Sequence, residues 1–157
     1  MSRRSIIKKN YIEPDSLYNS YLVSLLIVRV LKQGKKRLAS SIIYEAFELI
    51  KQKTGNSPMP IFETAIKKTT PKIAIKAKRI GGSNYQVPLD VSRYRGTTLA
   101  LRWLIKSAKE RSGKSISFKL ANEIIDASKG IGNTIRKREE THKMAEANKA
   151  FAHFKTK

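Results

Sequence analysis

Two spacings of apolar residues divide the chain. From Asn19 to Lys32, Leu22, Leu25, Leu26 and Val28 recur at helical intervals around Arg29, which predicts a first helix with Gly34 as its C-cap. After the basic turn "GKKR", Ile42, Ala46, Leu49 and Ile50 follow at i, i+4, i+7 and i+8, a second helix that "TGNSP" stops. A third helix fits 59–68 and ends before Pro71. The period then falls to two. In "PKIAIKAKRI", Ile73, Ile75 and Ala77 alternate with Lys72, Lys76 and Lys78, the pattern of a half-solvated strand. The turn sequence "GGSN" leads to "YQVPL", which sets Tyr85, Val87 and Leu89 on one face, and Pro88 restricts that strand to an edge. A two-stranded ribbon is marginal alone, so something must hold it at its base or along its charged face.

Helical spacing returns with Leu99, Ala100, Trp103 and Leu104 and runs to Arg111, where "RSGKS" breaks it. A fifth helix covers about 117–128, with Phe118, Ala121, Ile124 and Ile125 inward and "KGIG" closing it. The segment 133–155 contains no breaker, and a continuous helix there would span ~33 Å. The chain has no internal repeat and no low-complexity linker.

Composition narrows what this pattern serves. A chain of 157 residues is the size of one domain. Its 33 Lys plus Arg stand against 12 Asp plus Glu, a net charge of +21 that repels itself unless a polyanion neutralises it. The acids are missing where the bases cluster: Lys67 to Arg79 holds six basic residues and no carboxylate. A solvated face interleaves the two signs, so this imbalance favours phosphate contacts. A membrane-surface helix would instead line its bases along one face and large apolar residues along the other. The longest apolar run, residues 21–31, carries Arg29 and is about half the ~20 residues of a spanning helix. The opening "MSRRSIIKKN" has no apolar targeting core and reads as a basic arm.

Catalytic motifs fail on context. Gly113, Lys114 and Ser115 end like a phosphate-binding loop, but Ala108 stands where the first glycine belongs and the preceding segment is helical. Glu139 and His142 make one E-x-x-H where a di-iron site needs two, and His153 lies ~16 Å along the helix from His142. With no cysteine and no serine paired with a histidine, thiol and serine chemistry are excluded, and no metal or cofactor is called for. Trp103 belongs to an apolar stripe and is read as core, whereas Tyr85 either stacks on an unpaired base or packs on its cross-strand neighbour.

Three stretches resemble the family of ribosomal protein seven of the small subunit. They are Ser20, Leu22, Leu26 and Ile27 with Gly34-Lys35-Lys36, Ile42, Ile43 and Ala46; then "KAKRIGGSNYQVPLDV"; then "RKREETHKMAEANKAFAH", with "LALRWL" between them. The stretch from "ISFKLANEIIDASKG" to "AFAHFK" is similar to the plastid branch in particular, with bacterial members close. The resemblance implies a non-enzymatic, mainly α single domain over 1–157. It comprises six helices, a protruding two-stranded antiparallel hairpin at 72–90, a basic arm at 1–18 and a closing helix at 133–155. The family binds the 3′ major domain of small-subunit rRNA, nucleates head assembly, and faces the exit-site tRNA and the mRNA path beside head proteins such as ribosomal protein eleven. Location in a chloroplast ribosome, or alternatively in the bacterial cytoplasm, is implied, with no membrane partner.

By that resemblance, rRNA contacts fall to Arg3, Arg4, Lys8 and Lys9 of the arm, to Lys35, Lys36 and Arg37, and to Lys72, Lys76, Lys78 and Arg79 of the hairpin. Arg93, Arg95, Arg102, Lys109 and Arg111 of the fourth helix, and Arg136, Lys137 and Arg138 of the last, complete the set. Gly81, Gly82, Asn84, Tyr85 and Lys143 face tRNA or mRNA. The glycines would let a nucleic-acid strand approach where a Cβ would hold it away.

Overall fold

The computed structural model describes residues 12–154. Six helices, α1 (Tyr21–Val30), α2 (Lys36–Thr54), α3 (Pro58–Thr69), α4 (Arg93–Glu110), α5 (Ile116–Lys129) and α6 (Asn133–Ala147), surround one core, and β1 (Ile73–Ile80) with β2 (Ser83–Asp90) forms an antiparallel hairpin between α3 and α4. This is the mainly α architecture that the spacing predicts.

The core is built on α5, whose Leu120, Ala121, Ile124 and Ala127 are buried against α2, α3 and α4. Facing them are Ile43, Ala46, Phe47 and Ile50 of α2, Phe62 and Ala65 of α3, and Leu101, Leu104 and Ala108 of α4. A row of rings, Tyr18 against Phe47 at 5.1 Å and Phe47 against Phe62 at 5.4 Å, ties the N-terminal segment to this core. Asp15, which is buried, accepts from the backbone N–H groups of Leu17 and Tyr18 and from the Tyr44 hydroxyl at 2.7 Å. Residues 12–18 are therefore part of the folded body, which moves the boundary of the basic arm; Arg3, Arg4, Lys8 and Lys9 lie outside the described residues.

Other boundaries differ in instructive ways. Helix α1 ends at Val30 with Leu31 as its cap, and Gly34 (φ 72) instead shares a left-handed turn with Gln33 (φ 52) ahead of α2. Val28 and Phe118 are partly exposed at 46% and 37%; the Lys53 ammonium sits 4.1 Å over the Phe118 ring. Trp103 is half-buried at the edge between α4 and α6, while Ala100, Leu101 and Leu104 fill the core. The Gly-Lys-Ser stretch is the α4–α5 loop, where Ser115 Oγ caps α5 by accepting the Phe118 N–H at 3.2 Å.

The closing helix is shorter than the sequence suggests. It stops at Ala147, because Asn148 Nδ2 donates to the Met144 carbonyl at 2.8 Å, and a 3₁₀ segment, Lys149–Phe154, then turns onto the hairpin. Asn148 also reaches Gln86 Oε1 at 3.4 Å, and Phe151 packs on Tyr85 with ring centroids 5.3 Å apart. The ribbon is held by the chain's own C-terminal elements.

Hairpin register sets the chemistry of its faces. Gly81 and Gly82 form a two-residue turn with φ of 57° and 90°, a geometry that strains any residue with a Cβ. Residues directly opposite one another share a face, and the ladder pairs Ala74 with Leu89, Lys76 with Val87 and Lys78 with Tyr85. The lysines of β1 thus project beside the apolar residues of β2, while Ile73, Ile75 and Ala77 share the other face with Asp90, Pro88 and Gln86. Neither face is uniformly charged or uniformly apolar. Val87 is 2% exposed, and Ile73, on the opposite side, is 36% exposed.

Candidate nucleic-acid interface

The helices begin without acids of their own. None of the six α-helices carries Asp or Glu in its first turn, although a carboxylate there is favourable by about 0.3–1 kcal/mol. Helices α2 and α4 go further and begin with bases: Lys36 and Arg37 in one, Arg93 and Arg95 in the other. Lys35, Lys36 and Arg37 are all exposed. Bases at these termini meet the positive end of the helix dipole, an arrangement that an external anion would relieve.

On α4 the exposed bases are ordered. Arg95, Arg102 and Lys109 stand seven residues apart and so lie on one side of the helix, rising about 10 Å per step. None of the three forms an ion pair among the described residues. Lys106, which sequence reasoning did not select, is a neighbour of this stripe at 72% side-chain exposure and makes a loose 3.9 Å pair with Glu110. Its signal was the spacing i+4 from Arg102. Lys72, Lys76 and Arg79 are exposed on the hairpin, where Lys78 is half-buried.

Two of the predicted contact residues are also tied into the fold. The Arg111 guanidinium donates from Nε to Glu123 and from Nη2 to Asp126. Burial disfavours its charge, but the hydrogen bonds it donates to Asp126 and Glu123 outweigh that and raise its pKa. Glu123, 0% exposed, also accepts from the Thr134 backbone N–H at 3.0 Å and from its hydroxyl, which joins the end of α4, α5 and the start of α6 in one buried network. Arg138 donates to the Lys68 carbonyl and to Glu139, bridging α6 to α3. Arg136 and Lys137 are different, since they share only Glu140, at 3.4 and 3.2 Å on the surface, where such pairs contribute about 0–1 kcal/mol and exchange readily.

Gly81, Gly82, Asn84 and Lys143 are exposed, and among the described residues no atom lies within 4 Å of where a Cβ would stand at either glycine. The turn geometry alone explains the two glycines, and the open space at the tip leaves an approaching strand unhindered. Tyr85 is half-buried with its ring against Phe151, and its cross-strand neighbour is Lys78. Glu139 pairs with Arg138, and His142 Nε2 accepts the Lys72 N–H at 3.2 Å. Among the described residues no helix is long and apolar enough to cross a membrane.

This geometry accompanies close similarity to known proteins. Residues 2–149 match the family described as Ribosomal protein S7p/S5e. The small ribosomal subunit protein uS7 of Gloeothece citriformis is 56% identical over 155 residues, covering 99% of each chain. The uS7 proteins of Microcystis aeruginosa and Trichormus variabilis are 54% and 52% identical over the same length and coverage. With a hairpin between its third and fourth helices and bases at uncovered helix starts, the chain belongs to the ribosomal protein S7p/S5e family.

Proposed function

We propose that the chain is a structural, non-catalytic RNA-binding protein of the small ribosomal subunit that binds the 3′ major domain of the rRNA and starts assembly of the subunit head. The observation that carries this reading is the absence of any acid from the first turn of six helices in a chain of net charge +21. Such a surface is electrostatically complete only against a polyanion. Phosphate contacts are assigned to Lys35, Lys36 and Arg37, to Lys72, Lys76, Lys78 and Arg79, to Arg93, Arg95, Arg102 and Lys109, and to Arg136 and Lys137. Arg3, Arg4, Lys8 and Lys9 extend the footprint along the arm.

The hairpin tip, with Gly81, Gly82 and Asn84, is assigned to the exit-site tRNA and mRNA path together with Lys143, and the closing segment to neighbouring head proteins, ribosomal protein eleven among them. Tyr85 contributes there by stiffening the ribbon through Phe151. The cyanobacterial relatives fit a plastid protein and a bacterial one alike, and the plastid stroma is the location proposed.

The test is binding to a transcript of the rRNA 3′ major domain across a salt series, against a structured RNA of equal length. Tighter binding to the rRNA fragment that persists at high salt supports recognition of shape. Equal affinities that collapse together would reduce the interaction to net charge and remove the rRNA assignment. Preferential binding to an mRNA hairpin by a largely unassembled pool would point to a free regulator instead.

A further inference from the structure

Tyr94 stands at the start of α4 with 62% of its surface exposed, between Arg93 and Arg95, which are also exposed. A single surface tyrosine is ordinary. Here a second one lies nearby at the start of α1: Tyr21 is 42% exposed, and burial, then the neighbouring Tyr94, raise its pKa. Most of Tyr94 therefore stays open to solvent beside a second exposed tyrosine.

The backbone beneath is fixed. Gly96 is buried so closely against the α3–β1 connection that a Cβ there would lie 2.8 Å from Thr70 Cγ2. Arg93 also lines a crevice of about 540 Å³ with Lys67, Leu22, Glu63, Ile66 and Thr97. Neither Arg93 nor Arg95 forms an ion pair among the described residues.

An exposed aromatic face between unpaired guanidinium groups matches an unpaired nucleotide: the base offers a π-face to the ring and its phosphates offer charge to the arginines. An acidic protein would satisfy the arginines but leave the ring's face uncovered. We propose that Tyr94 is a stacking platform for one unpaired base of the bound RNA, with Arg93 and Arg95 holding the flanking phosphates. This rests on the rRNA-binding reading and adds a contact that charge alone does not supply.

Stacking and charge separate by salt dependence. Tyr94→Ala is expected to weaken binding to the 3′ major domain transcript about fivefold or more with no change in the salt slope. Tyr94→Phe, which keeps the ring, should bind within about twofold of the parent. Arg93→Gln with Arg95→Gln should instead make the slope shallower. Thermal unfolding of each variant establishes that the fold is kept. A parent that discriminates the rRNA while Tyr94→Ala binds it equally well overturns the platform and leaves the rRNA reading standing. So does a loss seen only when other subunit proteins are present, since that makes the tyrosine a protein contact. Should the parent not discriminate the rRNA at all, a short single-stranded RNA carrying 2-aminopurine decides the stacking alone. Quenching by the parent and by Tyr94→Phe that disappears in Tyr94→Ala supports it, and quenching absent from the parent or unchanged in Tyr94→Ala overturns it.

Discussion

The backbone N–H of Lys72 donates to Nε2 of His142 at 3.2 Å, so the residue that leads into β1 is held by α6. The Lys72 carbonyl accepts from Val91 N–H at 3.0 Å, and the two bonds together anchor the root of the hairpin. Only an unprotonated Nε2 can accept. Burial, then the charges of Arg138 and Lys72, hold the His142 pKa below the usual histidine value of 6.5. A histidine depressed in the folded state binds protons more readily when unfolded, so its contribution is complete above about pH 6.5 and is lost as pH falls through the lower folded value. Stability is expected to decline on acidification from pH 7.5 to 5, with amide exchange quickening first at the hairpin root. His142→Gln, which cannot titrate, should flatten that dependence; an unchanged profile in the variant would place the titration elsewhere.

Arg111 and Glu123 make the next case. With Glu123 wholly buried, Arg111→Met leaves its carboxylate with only the neutral donors of Thr134 and should cost about 3 kcal/mol by urea unfolding. Adding Glu123→Gln should restore part of that loss, because the two side chains act as one unit. A double variant as damaged as the sum of the singles would mean that the pair is not coupled.

These residues also mark where reading the sequence stops. The apolar repeat of Ile43, Ala46, Phe47 and Ile50 is a local property, and α2 follows from it. The hairpin is equally local, since Gly81 and Gly82 fix the turn and the turn fixes the register. What is not local is the partner of a charge. Arg102 and Arg111 look alike along the chain, yet one is exposed and the other meets carboxylates twelve and fifteen residues away. Helix α6 stops at Asn148 for a similar reason: no breaker is present, and the side chain that takes the Met144 carbonyl also meets Gln86 across 62 positions of sequence.

Gly96 tests close packing. Alanine there gains about 1 kcal/mol in helix propensity but drives its Cβ to 2.8 Å from Thr70 Cγ2 and 3.2 Å from the Pro71 carbonyl oxygen. Thr70 cannot rotate freely, since its hydroxyl donates to the Ile66 carbonyl at 2.7 Å. Overpacking costs about 1–3 kcal/mol, so Gly96→Ala should be destabilising by about 1 kcal/mol net. Thr70→Ser removes the offending methyl, and the double variant should recover most of the stability lost in Gly96→Ala. A Gly96→Ala protein more stable than its parent would show that the α3–β1 connection yields.

The hairpin bases give a prediction in salt dependence. Lys76 and Arg79 are exposed on a ribbon whose turn is already satisfied by glycine, so replacing them leaves the fold's contacts intact. Each phosphate contact contributes ~0.7–0.9 to the slope of log affinity against log salt. Lys76→Gln with Arg79→Gln should therefore lower the slope for the rRNA transcript by about 1.4–1.8, and an unchanged slope would remove the hairpin from the footprint.

Phe151 decides whether the ribbon's rigidity comes from the chain itself. Its ring lies 5.3 Å from that of Tyr85, next along β2 to Asn148's partner Gln86, and these contacts join the 3₁₀ segment to a sheet of only two strands. A two-stranded hairpin has no independent stability, so removing the ring should release it without unfolding the helices. Phe151→Ala is expected to speed amide exchange across β1 and β2 at least tenfold, the equivalent of about 1.4 kcal/mol of local stability, while α2 and α5 keep the parent's protection. If exchange in the strands is unchanged, α6 alone holds the ribbon through His142 and Lys72. If protection falls equally in α2 and α5, the hairpin and the helical core unfold as one unit, and the Tyr85–Phe151 contact stabilises the whole domain.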